Sequence, residues 1–251
     1  MKYHVTYLLL PALALSAMLA AHAEPVAESA SVDNSTLASA AKTTRINLKP
    51  QAWQIRRQEF ALAANTLRKN PNDDKARKKL DSIVAAFDKN PISRTPMEAM
   101  EILGAIHLHK DGITKAMPLI VMEAVFGWYD ALRWGSETGQ GEIERSERLF
   151  TRALQIGGGD KAVNDWADLL EKNPQTAIQI VEAGIARATR LHAGDASAYD
   201  HKWPAAYSLE RTLAAMAGKP EPSVTSPNLP SAKAWSMAVD KVRDFYIPRE
   251  K

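Results

Sequence analysis

The 251 residues carry 32 basic and 29 acidic side chains, a formal net charge of +3, and no cysteine, with 45% of the chain hydrophobic. Acidic and basic residues are interspersed, so there is no Lys/Arg stripe on which nucleic-acid binding would rest. Without cysteine, thiol catalysis, iron-sulfur clusters, thiolate zinc sites and disulfides are all excluded, and an apolar core must hold the fold, as a chain of this length allows.

The N-terminus predicts export. Lys2 precedes an apolar run, Leu8 to Ala21, broken only by Pro11 and Ser16, and Ala21-His22-Ala23 offers small residues for cleavage before Glu24. The run is roughly 14 residues, short of the roughly 20 that span a bilayer, and no stop-transfer pattern follows. The expectation is a signal peptide over 1–23, cleaved after Ala23, and a periplasmic protein not inserted in the membrane. Residues 24–49 are rich in Ala, Ser and Thr, have no apolar period, and read as a flexible tether. Residues 50–251 read as a single helical domain.

In that domain almost every segment has helical spacing. Trp53, Phe60, Ala64 and Leu67 share one face of a first helix, and Ala76, Leu80, Ile83, Val84 and Phe87 one face of a second, separated by Asn70-Pro71. A third helix starts at Thr95, with Pro96 at its first position and Glu98 placed for a reciprocal capping box, and ends near Gly112. The fourth, about Lys115 to Glu137, is apolar nearly all round, as the central helix of a fold must be. An amphipathic helix over Glu142 to Ile156 follows, then Gly157-Gly158-Gly159. Asp160 caps the next helix, whose inner face holds Val163, Trp166, Leu169 and Leu170, and Asn173-Pro174 breaks it from another built on Ile178, Val181, Ile185, Ala188 and Leu191. Further helices are expected over Pro204 to Ala217 and Ser231 to Tyr246, the latter resting on Trp235, Val239, Val242 and Phe245. A loop, Gly218 to Pro230, with four prolines joins them.

Strand-like alternation is missing. The fold class expected is therefore all-α, an irregular, non-periodic bundle of helical hairpins with about nine helices. A short α-solenoid is the alternative, suggested by Lys-Asn-Pro at Lys69, Lys89 and Lys172; but the spacings are 20 and 83 residues, with no constant period.

Chemistry has two candidate locations. On the central helix Glu123, Gly127 and Asp130 fall within about sixty degrees of one another, a thin polar stripe on an apolar rod. If buried, the two carboxylates would have perturbed pKa values suited to acid-base work; otherwise the stripe is solvated, or Asp130 pairs with Arg133, with Gly127 a close-packing point. The second location is the connection Tyr199-Asp200-His201-Lys202-Trp203, dense in binding-capable side chains. His201 is its one plausible general base, although Asp200 could cap a turn and Trp203 and Tyr207 could anchor the connection. Glu123, Asp130 and His201 are thus the catalytic candidates, and Tyr199 to Trp203 the binding candidates.

Other motifs fail on context. His107 and His109 point apart on a helix, His107 and Asp111 lack a third ligand, and no metal or cofactor is expected. Ser39-Ala40-Ala41-Lys42 imitates the Ser-x-x-Lys of penicillin-recognising enzymes without its partner motifs. The triple glycine lacks a phosphate-loop ending.

The first functional expectation is a non-enzymatic protein-binding module acting on another envelope or imported protein, such as an immunity-type protein or an envelope adaptor. A carboxylate-dependent periplasmic hydrolase and a carrier of apolar ligands, lined by Met117, Met122, Phe126 and Trp128, are the alternatives. The hydrolase requires the central carboxylates and His201 to meet in a cleft.

Overall fold

The computed structural model describes residues 50–247, apart from 137–139, 142, 144–160 and 195–196. The expected signal peptide and tether, Ser39 and Lys42, the triple glycine and most of the helix expected over Glu142 to Ile156 lie outside the described residues.

The described residues form an all-α irregular bundle of eight helices, with no strand among them. Helix α1 is Ala52–Lys69 and α2 is Asp74–Lys89, parted where Asn70 closes α1 and Asp73 caps α2 by accepting from the Ala76 N–H. Helix α3 begins as Pro96–Ile102, passes through a π-helical turn at Leu103–His107 and ends as Leu108–Asp111. Its start is the predicted capping box: the Thr95 hydroxyl accepts from the Glu98 N–H, and Glu98 Oε2 accepts from the Thr95 N–H at 3.0 Å. Gly112, at φ 79°, makes the turn into α4, Ile113–Trp134.

Helix α4 is the axis of the bundle. Fifteen of its 22 residues are buried, Glu123 and Asp130 among them. Helix α5 (Lys161–Lys172), α6 (Pro174–Ala193) and α8 (Ser231–Tyr246) pack around it, while α1 and α2 pair at the N-terminal end. Its closest approach is to α6, and there the small residue is Gly184: a Cβ at that position would stand 2.6 Å from the Pro118 carbonyl oxygen and 2.7 Å from Val121 Cβ. Gly127, expected as the close-packing point, has ordinary clearance, with Ile143 Cδ1 at 3.5 Å. The backbone of α6 meets α4 beside Pro118, not at the polar stripe.

Two further expectations change. The helix expected over Pro204 to Ala217 is a 3-10 turn, Trp203–Tyr207, followed by a separate helix α7, Leu209–Met216, capped by the Ser208 hydroxyl. In α8, Tyr246 rather than Phe245 enters the core; Phe245 is 39% exposed. No described helix is long and apolar enough to cross a membrane.

Candidate functional site

Asp130 is fully buried, and the two sequence candidates, 71 residues apart, meet there. Its Oδ1 lies 2.7 Å from His201 Nδ1. Its Oδ2 accepts from the Tyr199 hydroxyl at 2.9 Å and from Trp203 Nε1 at 2.8 Å. Arg133, the pairing partner considered in the sequence, instead donates to the Tyr129 hydroxyl. The polar stripe of α4 is therefore not solvated, and Asp130 is not spent on its own helix.

The 197–207 segment is shaped for this. The Ala198 N–H donates to the Ile92 carbonyl, tying the segment to the turn before α3, and the Asp200 side chain accepts from the Lys202 N–H, closing the turn that aims His201 inward. Trp203 is 1% exposed and packs edge-on against Trp53, with ring centroids 5.6 Å apart. Lys202 donates to the Val224 carbonyl and sits over the Trp134 ring. Of the five binding candidates, Tyr199, His201 and Trp203 converge on Asp130, Asp200 shapes the turn, and Lys202 fastens the proline-rich loop.

On its other side His201 meets a residue that sequence reasoning passed over. His201 Nε2 lies 3.0 Å from Ser197 Oγ. Asp130, His201 and Ser197 thus form a continuous line: a carboxylate on Nδ1 holds the ring so that Nε2 faces a hydroxyl, the order of contacts in a serine nucleophile activated by a histidine base. No local spacing would have found it, because residues 197–202 are irregular and turn structure rather than a helix, and only the shape of that turn brings the two side chains together.

Glu123 is 4% exposed and lines a narrow cleft with Ile92, Arg94, Met122, Phe126, Leu191, Ser197 and Tyr199. The cleft has room for about one water molecule. Burial, then the nearby charge of Asp130, pushes the Glu123 carboxyl up to about 8, against a smaller opposing pull from Arg187. Burial also raises Asp130 above the usual carboxylate range, and its contacts with His201, Trp203 and Tyr199 draw it back. The Tyr199 hydroxyl is raised well above its ordinary value, first by burial and then by the neighbouring carboxylates.

His107 sits between Asp111, at 2.8 Å from Nδ1, and Asp88, at 2.9 Å from Nε2, contacts that close α3 against α2. No group of three or more potential ligands among the described residues is disposed to hold a metal ion. Met117, Met122, Phe126 and Trp128, the lining proposed for an apolar ligand, are packed at 0–4% exposure, and only Met122 and Phe126 border the cleft.

Comparison of the chain with family models, with curated proteins and with solved structures finds no match.

Proposed function

We propose that the chain is an exported periplasmic hydrolase of the acyl-transfer type, with Ser197 as nucleophile, His201 as general base and acid, and Asp130 as the group that orients His201. The observation that carries this reading is the unbroken line from Asp130 Oδ1 through His201 to Ser197 Oγ, at 2.7 and 3.0 Å. In the first half-reaction Ser197 Oγ bonds to the acyl carbon as His201 Nε2 takes the hydroxyl proton. The bond to the leaving oxygen or nitrogen then breaks, and that atom receives the proton from His201. Water, deprotonated by the same nitrogen, releases the acid and restores Ser197. The cleft admits only an atom-sized group, so the bulk of a substrate lies over the exposed edge near Ala198 and Asp200.

The test is covalent labelling of the purified protein with a fluorophosphonate. Labelling at Ser197, abolished in Ser197→Ala and strongly reduced in His201→Ala, supports the reading; a wild-type protein that stays unlabelled at Ser197 overturns it. The address is tested separately: a periplasmic form beginning at Glu24 supports export, and retention of Met1 on a cytosolic form refutes it.

One observation favours a second reading, a module that binds another envelope or imported protein. Helix α7 is turned inside out: Leu209, Leu213 and Met216 are 53–55% exposed on one stripe, while Arg211 is 6% exposed and bonded to the Ala206 carbonyl and Glu221. Exposed apolar stripes are where partners dock. No tryptophan with described burial is exposed, so aromatic anchors do not support this reading. A stoichiometric partner crosslinked to the wild type and lost in Leu213→Asp would favour it over the hydrolase.

A further inference from the structure

Glu123 plays no part in the line of contacts from Asp130 to Ser197, yet it is the one buried acidic or basic side chain among the described residues left without a partner. Glu98 is held by Arg56 and Thr95, Asp130 by three donors, and Arg211 by Glu221 and a carbonyl. No described residue donates a hydrogen bond to the Glu123 carboxyl, which borders the same cleft as Ser197. The Glu123 oxygens are not sealed in the core but open onto that cleft, where an entering group can bond them. The cleft, sized for about one water, is also sized for one carbonyl oxygen.

We infer that Glu123 is a further catalytic residue of this site, a neutral carboxylic acid whose O–H donates a hydrogen bond to the substrate carbonyl oxygen while Ser197 attacks. This rests on the hydrolase reading. As the Ser197 Oγ–C bond forms, the carbonyl π pair moves onto that oxygen; Glu123 keeps its proton and stabilises the negative charge, then relaxes when the carbonyl re-forms and the leaving group departs. A protonated carboxyl in an apolar wall can serve as such a donor, whereas a carboxylate would repel the same oxygen.

The groups facing Glu123 agree with that role. From its own helix Asp130 opposes a second negative charge; from the 197–207 segment the Tyr199 hydroxyl already donates to Asp130; from α6 Arg187 gives a weaker, opposite pull; and Arg94, ahead of α3, stands in the cleft wall. Burial dominates, and the acid stays protonated up to about pH 8.

The experiment is the pH profile of kcat/KM for p-nitrophenyl acetate, with fluorophosphonate labelling of Ser197 run in parallel. In the wild type kcat/KM falls about tenfold per pH unit above pH 8, as the donor ionises. Glu123→Gln keeps a neutral N–H donor and loses that alkaline fall. Glu123→Ala lowers kcat on the order of 10²–10³-fold at pH 7. If Glu123→Ala does not fold, the glutamine profile decides alone. An alkaline fall unchanged in Glu123→Gln, or an alanine variant within threefold of wild type, overturns the role of Glu123 while labelled Ser197 leaves the hydrolase standing. Absence of labelling in the wild type removes both.

Discussion

Replacing Glu123 by Gln should change the stability by an amount that moves in the variant's favour as pH rises. The carboxyl is 4% exposed and held protonated to about pH 8, against an ordinary value of 4.5. Below about pH 4.5 it is neutral in both folded and unfolded chains and favours neither. Between 4.5 and 8 the unfolded chain releases the proton and the folded one keeps it, so unfolding gains about 1.4 kcal/mol per pH unit from this group. Above 8 both forms are ionised and the penalty is constant, at about 5 kcal/mol on the full interval. The contribution of the protonated acid is thus complete at low pH and lost as pH rises through 8.

Glutamine has the same shape and no ionisation. Its buried amide has its own cost, which shifts the whole curve without tilting it. The informative quantity is therefore the slope of the difference in unfolding free energy between Glu123→Gln and wild type, from urea titrations at steps between pH 5 and 9. A rise of about 1.4 kcal/mol per unit that levels off above pH 8 is expected. A difference that stays flat across pH 5 to 8 would refute the reasoning, because it would mean that Glu123 is ionised in the folded protein or open to water.

Asp130→Asn places an amide N–H₂ against one of three donors, and should cost about 2–4 kcal/mol in urea unfolding; it should also slow fluorophosphonate labelling on the order of 10³–10⁴-fold by losing the orientation of His201. Gly184→Ala forces a methyl to within 2.6 Å of the Pro118 carbonyl and should lower stability by about 1–3 kcal/mol, read as a fall in Tm; an unchanged Tm would mean that α6 does not approach α4 as described. Trp203→Phe removes one donor to Asp130 but keeps an aromatic ring against Trp53, so a loss of about 1–2 kcal/mol is expected, and a larger loss would show that packing outweighs the hydrogen bond.

What could be read in advance was whatever depends on neighbours in the chain. The Thr95-Pro96-Met97-Glu98 capping box, the breaks at Asn70-Pro71 and Asn173-Pro174, and the central position of α4 all follow from local spacing, and all are present. What depends on contacts between distant segments was not legible. Nothing near Gly184 marks it as the crossing point, because the pressure comes from Pro118 and Val121 on another helix. The choice of Tyr246 over Phe245, adjacent aromatics about one hundred degrees apart on α8, depends on the angle at which that helix meets the bundle. Helix α7 defeats pattern reading altogether, since its apolar stripe faces outward and its arginine inward. The two halves of the candidate site were each visible as residue types; their meeting was not, since only tertiary packing brings residue 201 to residue 130.

Glu123 and Asp130 lie seven residues apart on one face of one helix, and both are buried, yet their surroundings differ sharply. Asp130 collects three donors, all from the segment 199–203, and that geometry suits a carboxylate. Glu123 collects none, and the charge on Asp130 is, after burial, the largest influence keeping its proton in place. The aromatic turn therefore acts twice: it stabilises one carboxylate directly and, through that charge, holds the other as an acid. Burial raises both carboxyls, but only Asp130 has donors that draw it back, and a difference of that kind is how one site can supply both an anion and a proton donor at the same pH. It follows that the two positions are coupled. Neutralising Asp130 should let Glu123 ionise at a lower pH, so the alkaline fall assigned to Glu123 should move toward neutrality in Asp130→Asn, whatever that variant does to the rate itself.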